Sequence, residues 1–105
     1  METYKSFLIY RFNNKSYYGL HITDSYHNEA DASNTLKEFN NKTFFRITAK
    51  SEDIINLFNN IKIIPTKKLS EEYKLLVWIW YIHYYLKFND IKYNFIINNT
   101  NKFTF

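Results

Sequence analysis

The sequence predicts a small α+β domain: a mainly antiparallel sheet of three to five strands with helices packed on one face, in the order ββαβααβ. Two runs rich in Ile, Tyr and Phe flank a short Asn-containing turn near the N-terminus. Three later segments carry helix-start chemistry or helical spacing, and further β-rich runs lie between and after them. At 105 residues the chain is long enough for one core and too short for a second subdomain, so residues 1–105 are read as one domain.

The first element is a hairpin from Lys5 to Thr23, SFLIYRF and YYGLHIT joined by NNKS. Next, Asn28 to Asn40 reads as a short surface helix, with acidic residues early, Lys37 late, and Leu36 and Phe39 as its anchors. Lys42–Ala49, KTFFRITA, alternates as a strand does. Ser51 is an expected N-cap, followed by Glu52 and Asp53 and then by Ile54, Ile55, Leu57, Phe58 and Ile61 at helical spacing; this helix must stop before Pro65. Ser70 caps the long helix within Leu69–Phe88, Glu71 and Glu72 occupy its first turn, and Asn89-Asp90 ends it. Ile91–Ile97 reads as a last strand, and the closing NNTNKFTF as a further strand or a frayed end.

Composition narrows the classes of function. A chain that is 46% hydrophobic and 21% aromatic has enough apolar surface to fold. No cysteine means no disulfide, no thiol nucleophile and no Cys-ligated zinc, and an N-terminus without an apolar signal segment points to a cytoplasmic protein. The longest apolar run, Leu75 to Leu86, is too short to span a bilayer, so no membrane partner is expected. The net charge of +4 is a mild bias towards acidic partners, although richness in Asn, Lys, Ile, Tyr and Phe also follows from AT-rich codons of a low-GC bacterium, its phage or a virus.

Motifs for chemistry are few. Gly19 is the only glycine, which removes phosphate loops and dinucleotide fingerprints, each of which needs several. His21, Asp24, His27, Glu29 and Asp31 are metal-ligand types at no standard spacing, and no catalytic residue, metal or cofactor is assigned.

The long helix carries the main functional signal. At 100° per residue Leu75, Trp78, Ile79, Ile82 and Leu86 share one stripe, while Tyr73, Val77, Trp80, Tyr84 and Phe88 share the opposite one. A helix on one sheet buries one stripe. The aliphatic stripe is assigned to the core. The aromatic stripe is either sandwiched against the Asp53–Ile61 helix or forms a surface for self-association or a target. In the second case Tyr73, Trp80, Tyr81, Tyr84 and Phe88 bind the partner, because Tyr and Trp bring large contact area at low entropic cost.

An alternative surface would bind nucleic acid. Lys42, Phe44 and Arg46, then Lys92 and Tyr93, and finally Lys102 interleave aromatic and basic side chains, which on an open sheet could stack bases and hold phosphates.

Leu8-Ile9-Tyr10 and Tyr17-Tyr18-Gly19, followed by helix, strand and two helices, resemble the layout of the GIY-YIG nucleases, with Tyr10 and Tyr17 at the motif tyrosines. The resemblance covers about Phe7 to Phe88 in order of elements and only these residues in sequence. It implies tyrosines that help activate a nucleophile, an arginine of the first helix on the phosphate, and a later glutamate, here Glu71 or Glu72, on a metal. The chain departs from that pattern: Leu8 replaces the first glycine, the tyrosine motifs lie close together, and no arginine falls between Arg11 and Arg46. Without a phosphate clamp the resemblance implies an inactive derivative.

The expectation is a non-enzymatic protein-interaction module. A phage- or virus-encoded inhibitor of a host protein or nucleic-acid-associated complex would fit, as would a homodimer.

Overall fold

In the computed structural model, which describes residues 2–12, 17–34 and 43–97, the chain forms a small α+β domain around an antiparallel sheet. Strand β1 (Tyr4–Phe12) pairs with β2 (Tyr17–Ile22), Phe12 opposite Tyr17 and Phe7 opposite Ile22, as the hairpin pattern requires. The turn itself, 13–16, lies outside the described residues. Helix α1 (Glu29–Asn34) starts where Asn28 Oδ1 accepts the Asp31 N–H at 2.8 Å. Its expected continuation through Leu36 and Phe39 to Asn40 lies outside the described residues. Strand β3 (Thr43–Lys50) pairs with the other edge of β1, and β4 (Asn94–Ile97) pairs with β3, so the sheet order is β2-β1-β3-β4. Helices α2 (Ser51–Ile61) and α3 (Glu71–Phe88) lie in sequence between those last two strands.

Alternation along β1 and β3 divides the sheet into two unlike faces. Phe7, Ile9, Ile47 and Ala49 point to one side, where they join Ile54, Leu57 and Ile61 of α2 and Leu75, Ile79 and Ile82 of α3 in the main core. A bulge enlarges that face: Ile9 pairs with Phe45 but Tyr10 with Thr43, so Phe44 is an extra residue and both phenylalanines enter the core.

Ser6, Leu8, Arg46 and Thr48 point to the other side and are buried there, and α1 bonds to Ser6, Arg46 and Thr48. Helices on one face was the expectation; it describes α2 and α3 but not α1, which sits across the sheet. The attachment is polar. Ser6 Oγ donates to the Ala32 carbonyl at 2.7 Å and shares a hydrogen bond with Thr48 Oγ1 at 2.7 Å, while the Arg46 guanidinium donates to the Ser33 carbonyl. Burial lowers the pKa of Arg46 from its ordinary value, yet that value is high enough that the group stays charged. Along Glu29–Asn34 Ala32 is buried against the sheet, and hydroxyls and a guanidinium add hydrogen bonds to the same contact.

The cap of α2 also differs from expectation. The helix begins at Ser51 itself, with Lys50 at the N-cap and no side-chain cap bond. Ser51 Oγ is engaged elsewhere, 2.7 Å from Thr3 Oγ1 and 3.0 Å from Ser25 Oγ, and ties the helix start to the N-terminus and to the segment after β2.

Candidate functional site

The surface that sets this domain apart is the outer face of α3. Ser70 caps the helix, its side chain accepting the Tyr73 N–H at 3.3 Å, and Glu71 and Glu72 complement the dipole of the first turn. At the other end the chain leaves through Asp90 in the left-handed region, φ 51°, and the Ile91 N–H returns to the Leu86 carbonyl at 3.1 Å.

The first turn is also hooked to the edge of the sheet. Glu71 Oε2 accepts the Tyr18 N–H at 3.0 Å, Lys74 Nζ donates to the Tyr18 carbonyl at 3.0 Å, and the two side chains pair at 2.6 Å. Tyr18 turns both backbone groups away from β1, so one ion pair closes part of an edge that would otherwise accept another strand. Burial acts to raise the Glu71 pKa, but hydrogen bonds from Lys74 and the Tyr18 amide and the Lys74 charge outweigh it, holding the carboxyl below its usual value. Lys74 also lies 5.0 Å over the Trp78 ring.

With both ends and one face anchored, the helix sorts its side chains by angle. Leu75, Trp78, Ile79, Ile82 and Leu86 are buried. On the opposite face Tyr73 is 64% exposed, Trp80 73%, Tyr84 63% and Phe88 74%. Val77 between them is half-buried, and Tyr84 and Phe88 stack with centroids 5.5 Å apart. The five positions fall within about 80° of arc and extend along roughly 22 Å of helix. Helix α2 does not cover them; it packs beside the aliphatic face, through Ile54, Leu57 and Ile61.

Tyr81 does not share this exposure. It leans against the core, stacked on Tyr85 at 6.0 Å, and burial raises the pKa of its phenol. It forms the shoulder of the stripe. Leu76, half-buried on the other shoulder, was not singled out from the sequence. Nor were Ile63 and Leu69 in the α2–α3 connection, which are exposed, because isolated apolar residues in a loop carry no periodic signal.

The residues proposed for nucleic acid are not brought together. Phe44 is buried in the core edge-on to Tyr18, Arg46 is buried on the opposite face under α1, and Lys92 and Tyr93 lie on the surface before β4. Lys42 and Lys102 lie outside the described residues. The face that carries Phe44 is filled by α2 and α3, so it offers bases no open stacking platform.

The nuclease-like residues are similarly dispersed. Tyr10 and Tyr17 project from the same sheet face, opposite Gly19 and Phe12 respectively, while Glu71 is held on the edge of β2 by Tyr18 and Lys74. Among the described residues no three His, Asp or Glu side chains approach closely enough to hold a metal ion, and no helix is long and apolar enough to cross a membrane. No protein-family model, curated protein or solved structure matches this chain.

Proposed function

We propose that this chain is a non-enzymatic protein-interaction module whose working surface is the outer face of α3. One observation carries the proposal: a capped, firmly packed helix holds four large aromatic side chains in a continuous row, each about two-thirds exposed or more. At roughly 200 Å² per aromatic side chain the row presents about 500 Å² of largely apolar surface. That lies at the upper end of what monomeric proteins leave bare, where patches mark binding sites. The phenol hydroxyls and the indole N–H add hydrogen-bond donors to the same surface, the mixture that interface hot spots favour. In a ββαβααβ domain the aliphatic stripe alone suffices to hold α3 on the sheet, so the second stripe is surplus to folding. A cytoplasmic module that acts by occupying another macromolecule, as a phage- or virus-encoded inhibitor does, requires nothing more than such a face.

The test is co-purification from the native host with wild type, Trp80→Ala and Tyr84→Ala compared at equal expression. The expected result is a partner retained by wild type and lost by both variants while their circular dichroism is unchanged. A partner retained equally by all three would place the working surface elsewhere.

A further inference from the structure

We infer that the connection between α2 and α3 docks on the surface of an anionic lipid bilayer, with Ile63 and Leu69 entering the headgroup region and Lys62, Lys67 and Lys68 lying over the lipid anions. This surface is separate from the outer face of α3 and does not depend on the role proposed for it. No helix among the described residues is long and apolar enough to cross a bilayer. The expectation of no membrane partner came from that length, which bears on spanning and not on binding at the surface.

Charge selects an anionic partner. Between Asp53 and Glu71 the chain contains no carboxylate, and its only charged residues are these three lysines. All three are exposed, and none belongs to an ion pair among the described residues. Lys62 Nζ lies 5.6 Å over the Phe58 ring, a contact that orients the ammonium without neutralising it. Of the two acids that follow in the chain, Glu71 is already paired with Lys74, which leaves Glu72 to offset three cations.

Apolar exposure selects lipid among anions. Ile63 is 74% exposed, more than any other large aliphatic side chain among the described residues, and Leu69 is exposed beside it in the same connection. Backbone hydrogen bonds hold both in place: the Ile64 N–H returns to the Ile61 carbonyl at 3.1 Å, and the Leu69 N–H to the Thr66 carbonyl at 3.0 Å. Pro65 between these turns has a fixed φ. Residues 62–69 surround one shallow depression, so the aliphatic and cationic groups share a surface. At a bilayer, aliphatic side chains reach the boundary with the acyl chains while lysine ammoniums remain at the level of the headgroups. A nucleic-acid backbone would pair with the lysines but leave Ile63 in water, and the connection has no aromatic side chain to stack on a base and no arginine to read one.

Flotation of the full chain with vesicles of phosphatidylcholine, alone or mixed with phosphatidylserine, at low and physiological salt tests the inference. The expected result is retention by the anionic vesicles that falls as salt rises, and no retention by the neutral ones. Lys67→Glu and Lys68→Glu should each weaken binding about tenfold, and Ile63→Ser should weaken it by about as much. Lys92→Glu makes the same change in net charge beyond the far end of α3 and should bind as wild type does, as should Trp80→Ala. The three loop positions are exposed, so the circular dichroism and melting temperature of those variants should match wild type. No retention by anionic vesicles at low salt overturns the inference. So does binding that Lys92→Glu weakens as much as Lys68→Glu, since net charge alone would then account for it, and so does binding indifferent to Ile63→Ser. Loss on Trp80→Ala with the loop variants unaffected would move the lipid contact to α3. Capture by immobilised oligonucleotides but not by vesicles, lost on Lys67→Glu, would make nucleic acid the partner and overturn the lipid surface.

Discussion

Trp78 and Trp80 stand two residues apart on α3 and differ almost maximally in exposure, 7% against 73%. Replacing each with alanine therefore separates the two faces of one helix with the same chemical change. A tryptophan side chain presents up to about 250 Å², so Trp78 removes roughly 230 Å² from water, an upper bound of about 6 kcal/mol at 25 cal/mol per Å². A compact unfolded ensemble and the area that alanine retains reduce this to about 3–5 kcal/mol, the range found for large-to-small substitutions in cores. Trp80 buries only about a quarter of its surface, roughly 60 Å² or about 1.5 kcal/mol, and the better helix propensity of alanine returns about 0.5 kcal/mol. A net loss of about 1 kcal/mol is expected. Urea unfolding followed by circular dichroism at concentrations low enough to keep the chain monomeric reads both, with the midpoint shifting and the slope unchanged. Fluorescence of the two variants gives an independent check. The protein that retains Trp80 should emit to the red and quench readily with acrylamide, and the one that retains Trp78 should do neither. Equal destabilisation by the two substitutions, or equal quenching, would refute the division of α3 into a core face and an outer face.

The Glu71 hook makes stability depend on pH with a definite sign. Its folded pKa lies below its ordinary value of about 4.5, so its contribution is fully present above that value and disappears as pH falls through the lowered one. The stability difference between wild type and Glu71→Gln should accordingly shrink on acidification below about pH 4.5; a difference that grows instead would contradict the ion pair. Ser6→Ala leaves the buried Ala32 carbonyl without its 2.7 Å donor and should destabilise by about 1–2 kcal/mol, with non-additive behaviour when combined with Thr48→Val, as a double-mutant cycle would show. Phe44→Ala should lower stability by about 3–5 kcal/mol through loss of core packing. If instead it chiefly weakens binding to single-stranded oligonucleotides at low salt, Phe44 contacts nucleic acid and its placement in the core is wrong.

The two stripes of α3 were legible because they depend only on helical geometry and on residues close in the chain. Leu75, Trp78, Ile79, Ile82 and Leu86, grouped by angle alone, are the residues buried in the fold. The hairpin and the Ser70 cap are local in the same sense: two β-rich runs close together in the chain and one side-chain hydrogen bond settle them. Ser51 shows where local rules stop. Its position before two acidic residues favours a cap, but Thr3 and Ser25, distant in sequence, supply other partners for its hydroxyl. The bulge that turns Phe44 into the core belongs to the same class, since it exists only in the register of β3 against β1.

From the sequence alone came the segments, their periodicities, and the fact that α3 has more apolar surface than one sheet can cover. Tertiary structure decided which side of the sheet each helix occupies and which stripe of α3 remains in water. An alternating strand has two faces and does not say which helix takes which. Here α2 and α3 claim the Phe7–Ile9 face with large side chains, α1 is held to the other by Ser6, Arg46 and Thr48, and among the described residues no further helix covers Tyr73, Trp80, Tyr84 and Phe88. Exposure of that row is a property of what packs where across the whole chain, which no local window contains.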